Sequence, residues 1–374
     1  MRKEAGRLVC QCVPQGILIA SPLISIIVNN FNYARFLAQS VDSALDQTYP
    51  HIEVIVVDDV STDDSRQIIS RFGDRIIPIL AAVNRGQGAA FNAGFRASRG
   101  DIVMFLDADD WLYPQAAQRV AEAWVPGQSK THFRLDLVDV NGAWVDVHPP
   151  LEVPLDDGDV LPLLFEFGRY ETVVTTGNAF ARAALEMAMP MPEEQFKYGA
   201  DGYLATVLPF HGPVVTIEER LGAYRVHGNN AYATGSKMET AASFSIRARR
   251  RLDHDEQKGI ALRAKAEALG FRLGESPHLK DPSHLELRMA SLLIDPAGHP
   301  YRDDGRFALG LRGAAASRRA RLSWSRRAVM AMWFLLAGLL PRSLAYRAIS
   351  WRVMPSHRPM AIDRSLKWIR RVLQ

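Results

Sequence analysis

Four short apolar runs, each followed by a polar cluster and then, in most cases, by a helix-spaced segment, constrain this chain more than any other feature. They are residues 23–28 (LISIIV), 53–57 (EVIVV), 75–80 and 102–106 (IVMFL). The runs are continuous rather than alternating, so each strand needs apolar cover on both faces, as in a mainly parallel sheet flanked by helices. Between them, residues 34–45 carry Phe36, Leu37, Val41, Ala44 and Leu45 at helical spacing. Residues 63–72 follow Ser61 or Thr62 as a cap, and residues 87–98 open at Gly86-Gln87-Gly88.

In open sheets of this kind, ligands bind beyond the carboxyl ends of the strands. Three polar clusters fall there: residues 29–32, Asp58 with Asp59, and Asp107, Asp109 and Asp110. Three carboxylates at one strand end repel one another, and a hard divalent cation with oxygen ligands relieves that. Taken alone, the last cluster also reads as a solvated turn before a helix, since Asp caps helices well. One shared site is the simpler account of all three clusters. It is not a dinucleotide site: no G-x-G-x-x-G follows the first strand and no G-x-x-x-x-G-K-[ST] occurs, so phosphate must be held by metal and side chains.

Beyond Trp111 the pattern changes. Asn141-Gly142 between alternating segments predicts a hairpin within residues 131–147. Residues 172–180 read as a strand, residues 198–208 as a helix carrying Asp201, and residues 213–217 and 222–226 as two strands, the second running into His227. From Thr240 the chain reads as helical, over 241–269, 282–294 and three basic segments after Ser323, with joints at 276–282 and 295–305. Charge follows this division. The chain carries +4 overall, but residues 301–374 hold 16 Lys and Arg against 3 Asp and Glu, leaving −9 for the first 300 residues. Such a basic tail suits an anionic partner. Its longest uncharged apolar run, residues 328–341, is too short to span a bilayer. Cys10 and Cys12 form neither a disulfide framework nor a zinc pattern, which fits a reducing compartment. No signal peptide is expected in the first 20 residues.

The segments ISIIVNNFNYARFLAQSVDSALDQTYPHIEVIVVDDVSTDDS, NRGQGAAFNAGFRASRGDIVMFLDADD, GAD before a helix, and YRVHGNN stand in an order and spacing that resembles the family 2 glycosyltransferases, which have the GT-A fold. The resemblance covers roughly residues 23–230. It implies an α/β domain with a Rossmann-like, mainly parallel sheet, and an inverting transfer from a nucleotide diphosphate-sugar, most simply a UDP-sugar, to a hydroxyl acceptor. Asn29, Asn30 and Phe31 would line the nucleotide pocket, and Asp59 would hydrogen-bond the base or ribose. Asp107, Asp109 and Asp110 match the D-x-D signature, with Asp109 and Asp110 toward the ribose and Mn²⁺ or Mg²⁺. Asp201 matches the second acid of the E-D motif and would be the catalytic base. Tyr224, Arg225 and His227 match a Y-R-x-H segment, with Arg225 toward the diphosphate and His227 toward diphosphate or metal. Gly177 and Asn178 fall on the acceptor side.

The chain departs from the family in places. Ala200 replaces the usual Glu of the E-D motif, Phe91 stands where many members have Arg, and the Q-x-x-R-W motif of processive synthases is absent, so single-sugar transfer is expected. The expected organisation is an N-terminal extension (1–22), a GT-A domain (23–235) and a helical basic region (236–374). Arginine, tryptophan and a short apolar run within residues 317–351 suit a helix lying in a membrane interface. These features predict a peripheral protein at the cytoplasmic membrane face, building a cell-surface glycan on a glycan or lipid-linked acceptor, with no nucleic-acid partner. A sugar nucleotidyltransferase would share the sheet and acids but should carry a Gly-rich basic loop after the first strand. A non-catalytic nucleotide-sugar-binding protein is the third reading.

Overall fold

The computed structural model describes residues 21–227, 240–274 and 276–354. The N-terminal segment with Cys10 and Cys12, and the last basic segment, lie outside the described residues. The chain divides into two compact units: residues 1–161 with 171–225, and residues 162–170 with 226–374.

The first unit is built on one nine-stranded sheet. Its strands are β1 (Ile24–Asn30), β2 (Ile52–Asp58), β3 (Ile77–Leu80), β4 (Ile102–Asp107), β5 (Trp111–Leu112), β6 (Lys130–Val138), β7 (Trp144–His148), β8 (Asn178–Ala181) and β9 (Val214–Arg225). They lie in the order β3-β2-β1-β4-β8-β6-β9-β5, with β7 paired to β6. The half from β3 to β4 is parallel throughout, and β8 then runs antiparallel to both β4 and β6. Helices α1 (Ala34–Leu45), α2 (Ser65–Arg71), α3 (Gln87–Ala97), α4 (Ala116–Glu122), α6 (Arg182–Glu186) and α7 (Ala200–Val207) complete the unit, and a short α5 (Leu161–Phe167) belongs from Pro162 to the second.

The runs of β1, β2 and β4 behave as two-sided strands, whereas β3 is an edge strand with Ile77 and Leu80 exposed. Ile24, Ile26 and Val28 join a core with Leu37, Val41 and Ala44 of α1. Ile27 faces the opposite side, so close to α3 that a Cβ on Gly94 would meet its Cγ2 at 2.4 Å. Phe91 of α3 is wholly buried there and stacks on Phe105 of β4, centroids 3.9 Å apart. Phe91, where the resemblance implies an Arg in many family members, is therefore a core position here.

Two expectations changed. Residues 172–180 are a 3₁₀ turn (Thr175–Gly177) followed by the short β8. The Asn178 side chain donates to the carbonyls of Val173, Val174 and Thr175, taking acceptors that a longer strand would need. The two strands expected at 213–217 and 222–226 are one continuous β9. Its polar middle escapes the core through ion pairs: Glu218 with Arg134, Glu219 with Arg119 and Arg220 with Asp136.

The second unit is helical: α8 (Ala241–Ala268), α9 (Pro282–Ile294), α10 (Arg306–Ser317), α11 (Trp324–Leu339) and α12 (Arg342–Val353). Its core gathers Phe244, Leu285, Met289, Leu309, Phe334 and Ile349. Helix α10 fits against α11 through glycine: a Cβ on Gly313 would meet the Phe334 ring at 2.1 Å. Among the described residues, no helix is long and apolar enough to cross a membrane.

Candidate active site at the strand ends

The parallel half delivers its three polar clusters to one edge because β1, β2 and β4 run in register: Asn30 lies opposite Asp58, and Asn29 opposite Asp107. From there each loop is held by its own carboxylates. Asp58 is buried, accepts from Asn30 Nδ2 at 2.9 Å and from the Ser61 N–H, and pairs with Arg66. These partners hold its carboxyl below the ordinary range, against the burial that would raise it. Asp59 accepts the N–H groups of Arg85 and Gly86, at 3.1 and 2.7 Å. It thereby ties the second strand end to the loop that opens α3. Between these anchors Val60 holds φ +66°, a left-handed conformation costly for a β-branched residue and sustained by its surroundings. Gly86 is required where it stands, since a Cβ there would meet Lys197 at 2.3 Å. Phe31 is exposed beside this edge.

Asp107, Asp109 and Asp110 follow on β4. Asp110 is buried and bracketed: its carboxylate accepts from the Thr176 hydroxyl at 2.6 Å and from the Arg225 N–H at 2.9 Å. Arg225 is buried as well. Its guanidinium donates to the Asp109 carbonyl, the Val140 carbonyl and Gln39 Oε1, and stacks over the Phe36 and Trp111 rings. In this arrangement Arg225 clamps the end of β9 to the acidic turn. His227 stands two residues further on, in the second unit.

Asp107 is linked to Asp201 through Gln87, a residue the sequence reading treated only as part of a helix-opening loop. The Gln87 Nε2 donates to Asp107 Oδ1 at 3.2 Å, while its Oε1 accepts the Ala200 N–H at 3.0 Å. One amide thus joins the acidic turn to the first turn of α7, where Asp201 sits. Ala200 itself is wholly buried, so a Glu there would need room the core does not leave. The sequence reading also missed Thr176, whose hydroxyl contacts Asp110, and Lys130 at the start of β6. Lys130 is fully buried, donates to Thr172 at 2.8 Å and interacts electrostatically with Asp201. Burial pushes its ammonium down to about 7. Its strand also carries His132, Arg134 and Asp136, so nothing in the sequence set it apart. Glu193 is engaged elsewhere, with Arg85 and Asn92.

The edge is electrostatically unbalanced. Burial and the neighbouring Asp109 and Asp201 charges push the Asp107 carboxyl up to about 8. Burial with Asp109 and Asp107 pushes Asp110 up as well. The Tyr33 and Tyr224 hydroxyls beside them are raised, by burial first and by the aspartates second. Buried amide oxygens add to this: Asn29 Oδ1 and Asn30 Oδ1 have no hydrogen-bond partner among the described residues. An all-oxygen set of crowded carboxylates and unsatisfied amide carbonyls fits a hard divalent cation and does not fit a soft one.

The family model for glycosyl transferase family 2 matches residues 25–129, the span that holds β1 to β4 and the acidic turn. An uncharacterised glycosyltransferase of Nostoc sp. PCC 7120 is 36% identical over 219 residues, covering 57% of this chain and 67% of that protein. The putative teichuronic acid biosynthesis glycosyltransferase TuaG of Bacillus subtilis is 31% identical, covering 36% of this chain and 56% of TuaG. Among solved structures, the mannosyltransferase PcManGT from Pyrobaculum calidifontis, in complex with GDP-Man and Mn²⁺, aligns over 89% of this chain and 86% of its own at 18% identity, with a TM-score of 0.47. A relative matched at this identity over two thirds of its length, together with a family model ending just past the acidic turn, makes this chain a member of glycosyl transferase family 2.

Proposed function

We propose that the chain transfers a single sugar, with inversion, from a nucleotide diphosphate-sugar to a hydroxyl of a cell-surface glycan or its lipid-linked precursor. The observation that carries this reading is the Asp107 carboxylate, raised by burial and by the Asp109 and Asp201 charges, and joined through Gln87 to the first turn of α7 that carries Asp201. Similarity to a putative teichuronic acid glycosyltransferase supports the class of product.

The residues divide the work as follows. Asp59 spends one lone pair of each oxygen on the Arg85 and Gly86 N–H groups, which leaves others to accept from a base or ribose. Asn29, Asn30 and Phe31 border that pocket. Asp107 and Asp109 would hold Mn²⁺ or Mg²⁺, and Asp110 adds charge while bracing β9. Such an ion takes one or two protein carboxylates and completes its shell with water and phosphate oxygens. Among the described residues, no three His, Cys, Asp or Glu form a ready-made cage. When bound, the ion neutralises the charge that gathers on the leaving diphosphate.

Asp201 takes the proton from the acceptor hydroxyl as that oxygen attacks the anomeric carbon from the face opposite the diphosphate. The bond from anomeric carbon to phosphate oxygen breaks, and its electron pair leaves with the diphosphate. Lys130, with its charge near Asp201, favours the ionised form that a base requires. The Asn29-Asn30-Phe31-Asn32 loop, with no glycine and no cation, counts against a nucleotidyltransferase. A polar edge that gathers an acid beside the donor site counts against a purely binding role.

A thermal-shift screen with UDP-, GDP- and dTDP-sugars, each with Mn²⁺ and with EDTA, tests the reading and finds the donor. A donor at 100 times its dissociation constant stabilises by about 2.7 kcal/mol. The expected outcome is one nucleotide class that stabilises with Mn²⁺ only. No shift with any of the three would overturn the donor assignment.

A further inference from the structure

Helix α11 is apolar on two faces, and only one of them is used inside its own unit. Phe334, Ala337 and Gly338 face inward and are buried. On the other side Trp324, Met332, Leu335, Leu336 and Leu339 repeat at helical spacing and stand in solvent, Trp324 at 83% and Leu339 at 65% exposure. From Ala328 to Leu339 the helix carries no charged side chain at all. The antiparallel neighbour α10 adds Phe307 and Leu311, both exposed and one turn apart. A run of exposed large apolar side chains on this scale marks an interaction surface.

The second feature is a cleft of about 310 Å³ at the C-terminal end of α10, where the hairpin turns. It is lined by Lys280, Arg312, Arg318 and Arg319, together with Leu279, Ala315 and Ala316. Four cations line it and no carboxylate does, and among the described residues none of the four has a carboxylate partner. Arg318 and Arg319 belong to the short connection that leads from α10 into α11, and Arg321 and Arg326 follow within two turns. Arg342 and Arg347 lie just past the other end of α11, both exposed. The uncharged stripe is therefore flanked by arginine at both ends. Lateral burial in a bilayer interface needs this pattern, with apolar side chains below the headgroups and cations among the phosphates. A protein partner would not need arginine at both ends of the stripe.

We propose that the α10–α11 hairpin docks on an anionic lipid bilayer, the outward stripe of α11 entering the interface while the Lys280, Arg312, Arg318, Arg319 cleft takes a lipid phosphate. The surface belongs to the second unit alone and does not depend on the transfer chemistry. It would hold the enzyme where a lipid-linked acceptor is found.

Flotation of the full chain with vesicles of phosphatidylcholine alone, and with vesicles carrying about a third phosphatidylglycerol, tests the proposal. The chain is expected to partition at least tenfold better onto the anionic vesicles, since each cation near such a surface adds to the binding. Met332→Glu with Leu336→Glu, and separately Arg318→Ala with Arg319→Ala, should each reduce that partitioning about tenfold. All four side chains are exposed, so the thermal unfolding midpoint should stay within about 2 °C of the wild type. Inorganic phosphate at 10 mM should leave vesicle binding unchanged if the cleft serves a lipid phosphate at a surface. Equal binding to neutral and anionic vesicles would overturn the proposal. Wild-type binding by either double variant would also overturn it, because residues outside the hairpin, such as the basic segment after residue 354, would then carry the contact. Release by phosphate would reassign the cleft to a free anion.

Discussion

Two groups of enclosed aspartates in this molecule face opposite ways electrostatically. In the helical unit, Asp255 on α8 is 14% exposed at its side chain and meets Lys258 at 2.7 Å and His284 at 3.0 Å. Those partners hold its carboxyl far below the ordinary range, although burial alone would raise it. Asp304, nearby in the same unit, is closed by Arg288 and His299 in the same way. At the strand ends of the sheet, Asp107 meets the Gln87 amide and the Thr175 hydroxyl among the described residues, and burial first, then the Asp109 and Asp201 charges, push it up to about 8. A compensated cluster has already found its counter-charges and works as structure. An uncompensated one keeps a standing demand for positive charge, which a ligand can meet. The same residue type, similarly enclosed, is read as scaffold in one unit and as site in the other.

Substitutions can break this contrast. The largest effect is expected at Asp201→Asn, which keeps shape but cannot take a proton. Sugar transfer should fall by roughly 10²–10⁴-fold, in kcat more than in donor KM, in a steady-state assay with the true acceptor. Near-normal turnover would move the base elsewhere, with Glu194 the next acid to test. Next comes Asp255→Ala, which strands Lys258 and the nearly buried His284. Urea unfolding should show a loss of about 3 kcal/mol. Asp107→Asn should do the reverse, leaving the metal-free protein as stable as the wild type or slightly more so, because it removes a repelled charge. A loss above about 1 kcal/mol for Asp107→Asn would mean that the cluster is structural after all.

The smallest effect is in pH dependence, and it should have opposite signs in the two places. The folded Asp255 carboxyl lies below its ordinary 3.8, so the stability it lends is complete above about pH 4 and drains away as pH falls further. The folded Asp107 carboxyl lies above that value, so its contribution is complete below about pH 4 and is lost as pH rises through about 8. Unfolding midpoints in EDTA should therefore decline from pH 5 to pH 8.5 more steeply in the wild type than in Asp107→Asn. Mn²⁺ should flatten that decline in the wild type.

Much of the sheet was legible in the sequence because β1, β2 and β4 are buried on both faces and need unbroken apolar runs, a pattern few alternatives share. The hairpin at Asn141-Gly142 and the helices α8 and α9 were legible for similar local reasons. The middle of β9 was not, since Glu218, Glu219 and Arg220 interrupt the apolar pattern and are accommodated only by Arg119, Arg134 and Asp136 from other elements. The turn at Thr175–Gly177 was missed because its shape depends on three bonds from one side chain, Asn178. At the candidate site the acids were visible as a cluster, but what holds them was not. Gln87 and Thr176 are ordinary polar residues in sequence, and become part of the site only when α7 and the 3₁₀ turn are brought to the end of β4.

The account rests on the claim that the carboxylates at the end of β4 are a cation site for a nucleotide diphosphate. Calorimetric titration of UDP, in the presence of Mn²⁺ and then of EDTA, into the wild type and into Asp109→Asn tests it most directly. The account predicts that Mn²⁺ raises wild-type affinity at least tenfold, about 1.4 kcal/mol, and leaves the variant unchanged. UDP binding that is equal with Mn²⁺ and EDTA in the wild type, or a Mn²⁺ effect that survives in Asp109→Asn, would contradict it.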